Sequence, residues 1–379
     1  MWHAAEVELP RRDVDPDGLL EYSVVFTDRS LNHMSQRFVG VMHDIVDVLT
    51  TTYAAETVAV VPGGGTYAME AVARQLATGR RCLVVRNGLF SYRWSQILDT
   101  GSITGETTVC TARPTSGERQ APWTPAPLDE VVEAIERARP EVVFAPHVET
   151  AAGMVLPDDY VRGVAAATHA VGGLVVLDCI ASGALWVDMA ELGVDVLISA
   201  PQKGWSGSPC AGFVMLGETG RDRVMSTTST SFAVDLQKWL TITEAYGQGQ
   251  TPYHATMPTD TLARDAALML ETRAAGLEEL RAAQTMLGER VRALLAQRGY
   301  PSVAAAGFAA PSVVVAFTDD PEIRSGARFK QRGMQVAAGV PLMCGEGDDF
   351  STFRVGLFGL DKLTDVDGAV ARLEAHLGR

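Results

Sequence analysis

At 379 residues the chain has room for a large core and for more than one domain. A formal charge of −14 with no long basic block disfavours nucleic acid as a partner. Five dispersed cysteines (Cys82, Cys110, Cys179, Cys210, Cys344), with neither CxxC nor metal-ligand spacing, read as reduced thiols of a cytoplasmic protein. Met1-Trp2-His3 leads into acidic residues rather than a signal sequence, and no apolar run reaches transmembrane length.

Residues 1 to 24 are polar and contain prolines, which predicts an irregular arm. Phe38, Val39, Met42, Ile45, Val46 and Leu49 recur at helical spacing and predict a helix over 36–49. Val58 to Val61 is an apolar strand running into Pro62-Gly63-Gly64-Gly65-Thr66, and a helix follows from Tyr67 to Leu76. Further strands are predicted at Arg81 to Val85, Glu141 to Ala145, Leu174 to Asp178, Val194 to Ser199 and Ala211 to Leu216. Helices are predicted at Leu128 to Ala138 and Asp159 to Ala170. Such alternation argues for an α/β fold whose mostly parallel sheet is covered on both faces. It stops near 247–258. Leu262 to Gln297 then reads as one long or two consecutive helices. Strands at Ser312 to Phe317, Gln335 to Ala337 and Phe353 to Leu357, with a closing helix from Val366 to His376, make a smaller α+β unit. The expected division is an arm over 1–24 packed on the small domain, a large domain over 25–260 and a small domain over 270–379.

Three features fall at the C-terminal ends of predicted parallel strands, where open α/β sheets bind ligands. Gly63-Gly64-Gly65-Thr66 joins a strand to a helix, and its backbone N–H groups with the Thr66 hydroxyl suit a phosphate. It is not G-x-G-x-x-G, and no acidic residue follows at dinucleotide spacing, so NAD is disfavoured. Asp178 closes an apolar run, as a helix cap or as the partner of a cationic ring. Lys203 follows 25 residues later at the mouth of the next strand, where partial desolvation would lower its pKa and make it a nucleophile or Schiff-base former. Any one of the three has an ordinary structural explanation. Together, in this order, they make a pyridoxal 5'-phosphate pattern: lysine for the aldehyde, aspartate for the ring nitrogen, glycine turn for the phosphate.

From about residue 30 to 370 the sequence resembles class V aminotransferases of pyridoxal phosphate fold type I, in particular the alanine–glyoxylate and serine–pyruvate group. Pro62 to Ala71 is similar to that family's phosphate loop. Asn87-Gly88-Leu89-Phe90-Ser91-Tyr92-Arg93 resembles its N-G-x-W-G-x-R, with Phe90 where the ring-stacking aromatic stands. His147-Val148-Glu149-Thr150-Ala151-Ala152-Gly153 resembles H-x-E-[ST]-S-T-G. Leu177 to Ser182 resembles the strand end that carries the aspartate. Ser199-Ala200-Pro201-Gln202-Lys203 resembles S-G-S-Q-K, where Gln before Lys leans toward aminotransferases and away from cysteine desulfurases. Tyr253 to Pro258 resembles Y-x-x-T-x-P, and Phe353 to Gly359 resembles R-[IV]-G-x-x-G.

The resemblance implies a seven-stranded large domain and a smaller C-terminal domain. It implies Lys203 and Asp178 as catalytic residues. Gly64, Gly65, Thr66, Phe90, Thr150, Gln202, Tyr253 and Thr256 would join them in holding the cofactor, with Tyr253 and Thr256 reaching across a homodimer. Arg354 would hold the substrate carboxylate. The implied reaction moves an amino group from a small L-amino acid, alanine- or serine-like, to a 2-oxo acid, pyruvate- or glyoxylate-like. Open alternatives are a lyase or desulfurase acting at Cβ of cysteine, an aminophosphonate transaminase, and a non-catalytic cofactor-binding protein. The family's N-terminal G-P-[GT] stretch is absent, Ala151-Ala152 replaces a hydroxyl pair, and Phe90 replaces Trp. Arg29 is either an extra cation for an acidic substrate or a partner in a surface ion pair. Cys344 lies in an acidic loop expected to be flexible. His33 and His254 have no carboxylate at ligand spacing, so no metal is expected.

Overall fold

The computed structural model describes residues 8–377. Its centre is a seven-stranded sheet built from β1 (Thr57–Pro62), β2 (Cys82–Arg86), β3 (Thr107–Thr111), β4 (Val142–Pro146), β5 (Leu174–Asp178), β6 (Val196–Ser199) and β7 (Ala211–Leu216), in spatial order β1-β7-β6-β5-β4-β2-β3. All neighbours run parallel except β7, which is antiparallel to both β1 and β6. The exception has a local cause. Only residues 200–210 separate β6 from β7, too few for the helical crossover that a parallel neighbour needs. The central strands are buried along their whole length because both faces are covered, and β5 and β6 are apolar up to the Asp178 and Ser199 that end them.

Helix α1 (Gln36–Tyr53) buries the predicted apolar stripe, Val46 only partly, and Ser35 caps it by accepting from Phe38 N–H at 3.1 Å. It runs past the predicted end to Tyr53, whose ring stands edge-on to Trp186 and Trp205. Helix α2 (Gly65–Leu76) follows β1 directly. Several elements have no counterpart in the sequence reading, the helices Glu218–Met225 and Leu236–Gly247 among them. Helix α3 (Leu89–Thr100) buries Ser91, Trp94, Ser95 and Leu98, and two serines on the inward face erase the apolar periodicity. Strand β3 is a threonine-rich edge strand and only partly buried. The other edge, β1, is covered by the helix Leu236–Gly247, whose Thr243 hydroxyl accepts from Val60 N–H at 3.1 Å.

Leu262 to Gln297 forms two helices, Thr259–Ala274 and Leu277–Gln297. They part at Gly276, whose φ of +89° is in the region glycine favours. Strands β8 (Val313–Phe317), β9 (Ala337–Ala338) and β10 (Thr352–Gly356) form an antiparallel sheet in the order β8-β10-β9. One buried cluster extends from Leu31 through the large sheet to Leu373. The described part of the arm has no helix or strand. Asn32 donates to Glu21 at 2.8 Å and Arg37 donates to the Val14 carbonyl, so these bonds tie the arm to the start of α1. No described hydrogen bond joins it to the small sheet. Among the described residues, no helix is long and apolar enough to cross a membrane.

Candidate active site

The C-terminal ends of β1, β2, β4, β5 and β6 meet at one edge of the sheet, and the chemistry-bearing side chains collect there. A cavity of about 150 Å3 at that edge is lined by Gly65, Thr66, Phe90, Arg93, Thr150, Asp178, Ile180, Ala181, Gln202 and Lys203. A larger space, about 1040 Å3, lies between the arm and the start of α1. It carries none of the predicted site residues and is bounded by an arm with Leu19, Tyr22 and Val24 exposed.

Glycines shape the turn into α2. Gly63 has φ +122°, and a Cβ there would stand 2.5 Å from the Tyr67 ring. A Cβ on Gly65 would overlap Ile180, while Gly64 faces open space. No side chain caps α2, so the N–H groups of its first turn remain available to an anion.

Lys203 leaves the end of β6 in a loop fixed from three sides. Gly207 N–H donates to Pro201 O at 2.9 Å. Asp265, fully buried on the helix Thr259–Ala274, accepts from Ser208 N–H at 2.7 Å and from the Cys210 thiol at 3.1 Å. Leu360 N–H donates to the Ser206 hydroxyl at 2.9 Å. A Cβ on Gly204 would overlap the Gly183 carbonyl, so the residue after the lysine must be small. The lysine amine is half-buried, 4.7 Å from the centre of the Phe358 ring. Burial lowers its pKa, and the neighbouring Arg354 charge lowers it further. The buried amide oxygen of Gln202 has no hydrogen-bond partner among the described residues.

Asp178 is one strand away, registered beside Ile198 of β6 and Pro146 of β4. Its Oδ1 accepts from Ile180 N–H at 3.0 Å. Burial pushes this carboxyl up to about 7, and the nearby Glu149 adds to the rise. A cationic ring nitrogen facing it would reverse that shift. Phe90, at the start of α3, presents its ring to the cavity, with the Arg93 guanidinium 5.2 Å and the Arg354 guanidinium 5.5 Å from the ring centre. Arg93 also donates to the Thr66 hydroxyl at 3.0 Å. Buried Thr150 completes the wall. Ala151 and Ala152, standing where the resemblance has hydroxyls, are fully buried in a second apolar cluster, against which Phe90 and Phe358 pack.

Thus Gly65, Thr66, Phe90, Thr150, Asp178, Gln202 and Lys203 line one cavity, with Gly64 in the adjoining turn. Arg354 does not line it but stands beside it on β10, over the Phe90 ring, its Nε donating to Ala338 O at 2.8 Å. Tyr253 and Thr256 share a 3.1 Å hydrogen bond but stand exposed and do not line this cavity within one chain. Arg29 is exposed beside Asp28 at 3.5 Å, the surface ion pair rather than a cation of the site. The Cys344 loop differs from the flexible loop expected. Glu346 gathers it by accepting from Leu342, Met343 and Cys344 N–H, the last two at 2.9 Å, and the thiol lies 3.4 Å from Arg86 O. Burial pushes that thiol up to about 12. Arg93, Glu149 and Phe358 are the neighbours that no role was assigned from sequence. All three lie inside the quoted motifs, so the signal was present as motif membership only. Among the described residues no group of three or more His, Cys, Asp or Glu side chains is placed to hold a metal ion.

No family model matches the chain. A protein named the small subunit of a soluble hydrogenase, from Synechococcus sp., is 26% identical over 92% of this chain and 87% of its own. A 2-aminoethylphosphonate–pyruvate transaminase from Burkholderia ambifaria is 28% identical over 95% of both chains. The crystal structure of an alanine–glyoxylate aminotransferase from Nostoc sp. superimposes with a TM-score of 0.76 over 92% of this chain and 89% of its own, at 21% identity. The chain is a homologue of 2-aminoethylphosphonate–pyruvate transaminases and has the type I fold of class V aminotransferases. Enzymes of this fold use pyridoxal phosphate. The residues at the site fit that group: a carboxyl that burial pushes up to about 7, a desolvated amine and an uncapped helix N-terminus.

Proposed function

We propose that the protein is a pyridoxal-phosphate-dependent aminotransferase moving an amino group from a small L-amino acid, alanine- or serine-like, to a 2-oxo acid, pyruvate- or glyoxylate-like. The observation that carries this reading is the half-buried Lys203 amine in one cavity with buried Asp178 and the uncapped start of α2. Bound there, pyridoxal phosphate supplies the carbonyl that Lys203 holds and an electron sink for the charge left at the amino acid Cα. The N–H groups of Gly64 and Gly65, Thr66 and Gln202 bind its phosphate. Asp178 holds a proton at the ring nitrogen, and Phe90 keeps water from one ring face. Arg354 binds the substrate carboxylate in a planar, two-point contact. Lys203, with its pKa lowered, would take the proton from the substrate Cα as general base and deliver it to the cofactor C4′ as general acid.

Tyr253 and Thr256, exposed in one chain, complete the phosphate site of a partner in a cytoplasmic homodimer. The same reading divides the chain into an arm over 1–24, a large domain over 25–260 and a small domain over 270–379. Aminophosphonate transamination is the second reading. It is favoured by the names of relatives and by Arg93 and Arg354 flanking one ring. The Cβ-lyase reading draws no support from Cys344, whose thiol is held protonated.

The test is the visible absorption of protein with pyridoxal phosphate, before and after L-alanine or 2-aminoethylphosphonate without an oxo acid. The expected result is a visible band that the donor bleaches and that pyruvate or glyoxylate restores. Lys203→Ala should lack the band and all turnover. Transamination retained by Lys203→Ala would overturn the assignment.

A further inference from the structure

Glu149 is fully buried and does not line the cavity, yet it touches both segments that do so beside the expected cofactor ring. Its Oε1 accepts from Phe90 N–H at 3.3 Å and from Ala151 N–H at 2.9 Å. Its Oε2 accepts from Ser91 N–H at 2.8 Å and from the Ser91 hydroxyl at 2.7 Å. The donors belong to the first turn of α3, which presents Phe90, and to the turn after the short strand Val148–Glu149, which presents Thr150. Each carboxylate oxygen thus has two donors. The negative charge also lies at the N-terminus of a twelve-residue helix, where the helix dipole favours it.

Space has been cleared for this carboxylate. A Cβ on Gly88 would stand 2.7 Å from the carboxyl carbon of Glu149. The Ser91 hydroxyl, besides meeting Glu149, accepts from Asn87 N–H at 2.9 Å and Gly88 N–H at 3.1 Å. The segments joined are far apart in sequence and belong to different strand ends of the sheet. Helix capping alone would not need the second segment, since Ala151 N–H belongs to a different turn. Burying a carboxylate is unfavourable unless its hydrogen bonds are satisfied, and here all four fix the two segments that present the cofactor wall.

We propose that Glu149 is a positioning residue that locks Phe90 and Thr150 in one geometry, and so sets the face and edge contacts of the cofactor ring. The inference rests on the pyridoxal phosphate reading above. A glutamine cannot replace the carboxylate. Whichever way its amide turns, an NH2 group is aimed at N–H donors, and one pair of contacts is lost.

Glu149→Gln is compared with wild type and with Asp195→Asn. Asp195 is a buried carboxylate that accepts from Val175 N–H at 2.8 Å, three residues before the end of β5 that carries Asp178, and lies outside the cavity lining. In the cofactor-free protein, amide exchange should accelerate together at residues 89–92 and 150–152 in Glu149→Gln. With cofactor, its affinity should fall roughly 10- to 100-fold, and the visible circular dichroism of the bound cofactor should weaken at saturation. Asp195→Asn should unfold more easily and change neither signal. Wild-type exchange and visible dichroism in a folded Glu149→Gln would overturn the proposal, as would loosening of one segment alone. If Glu149→Gln fails to fold, Ser91→Ala leaves the carboxylate in place and removes one donor. A weakened visible signal is then expected, and a wild-type signal refutes the role. A wild-type protein that takes up no pyridoxal phosphate would sink the functional reading, while amide exchange in the cofactor-free protein would still decide whether the clamp exists.

Discussion

Asp178→Asn isolates the cost of keeping a carboxyl buried in the wall of the cavity. In the folded, cofactor-free protein burial raises this group from 3.8 to about 7. A carboxyl whose folded pKa lies above its unfolded one favours the fold only while protonated in both states. Below about pH 4 it contributes nothing adverse. As pH rises, the unfolded chain releases this proton first, and the fold loses stability until pH passes 7, where the loss is complete. At 1.36 kcal/mol for each pH unit, that interval is worth about 4 kcal/mol, an upper figure for one group. Asparagine keeps an acceptor for Ile180 N–H and carries no charge to bury. Cofactor-free Asp178→Asn should therefore be more stable than wild type by about 2–4 kcal/mol at pH 8, with the gain fading toward pH 4. Urea unfolding of both proteins across pH 4–8 reads the difference, from which the other titrating groups cancel. The same variant should bind pyridoxal phosphate weakly and turn over poorly, because the ring nitrogen loses its anionic partner. A gain absent at pH 8, or unchanged between pH 4 and 8, would refute the claim that Asp178 is held for a cationic partner.

Gly63→Ala puts a Cβ at φ +122° against the Tyr67 ring, and should cost roughly 1–3 kcal/mol in melts and weaken cofactor binding. Intact affinity would mean the turn before α2 is not the phosphate cradle. Arg354→Lys keeps the charge but loses the two-point contact. KM for the amino acid donor should rise on the order of 10- to 100-fold with a smaller change in kcat, measured by steady-state kinetics. A variant with wild-type KM would place the carboxylate elsewhere. Cys344→Ser should leave transamination unchanged, since burial holds the thiol near 12. Loss of sulfide release from cysteine in that variant would instead favour the lyase reading.

What the sequence determined by itself was local and periodic. Leu174 to Asp178, Ala211 to Leu216 and Leu128 to Ala138 were legible to the residue, because their apolar patterns match one period and end at turn residues. The order of glycine turn, Asp178 and Lys203 was legible too, since each stands at a strand end in chain order. Helix α3 was not, because its buried face carries Ser91 and Ser95 where an isolated helix would carry apolar side chains. Those serines take partners brought from elsewhere, Glu149 from after β4 and Arg86 from β2. Only tertiary structure reversed β7, since the direction of a strand depends on the length of the connection before it and on the neighbours left to pair. Only tertiary structure placed Phe358 over Lys203 and Arg354 beside Phe90, contacts between residues far apart in the chain. Side-chain type and spacing constrain what a segment can be. Desolvation and charge at a site depend on which segments close around it, and that is why the altered pKa values of Asp178 and Lys203 emerge only in the folded chain.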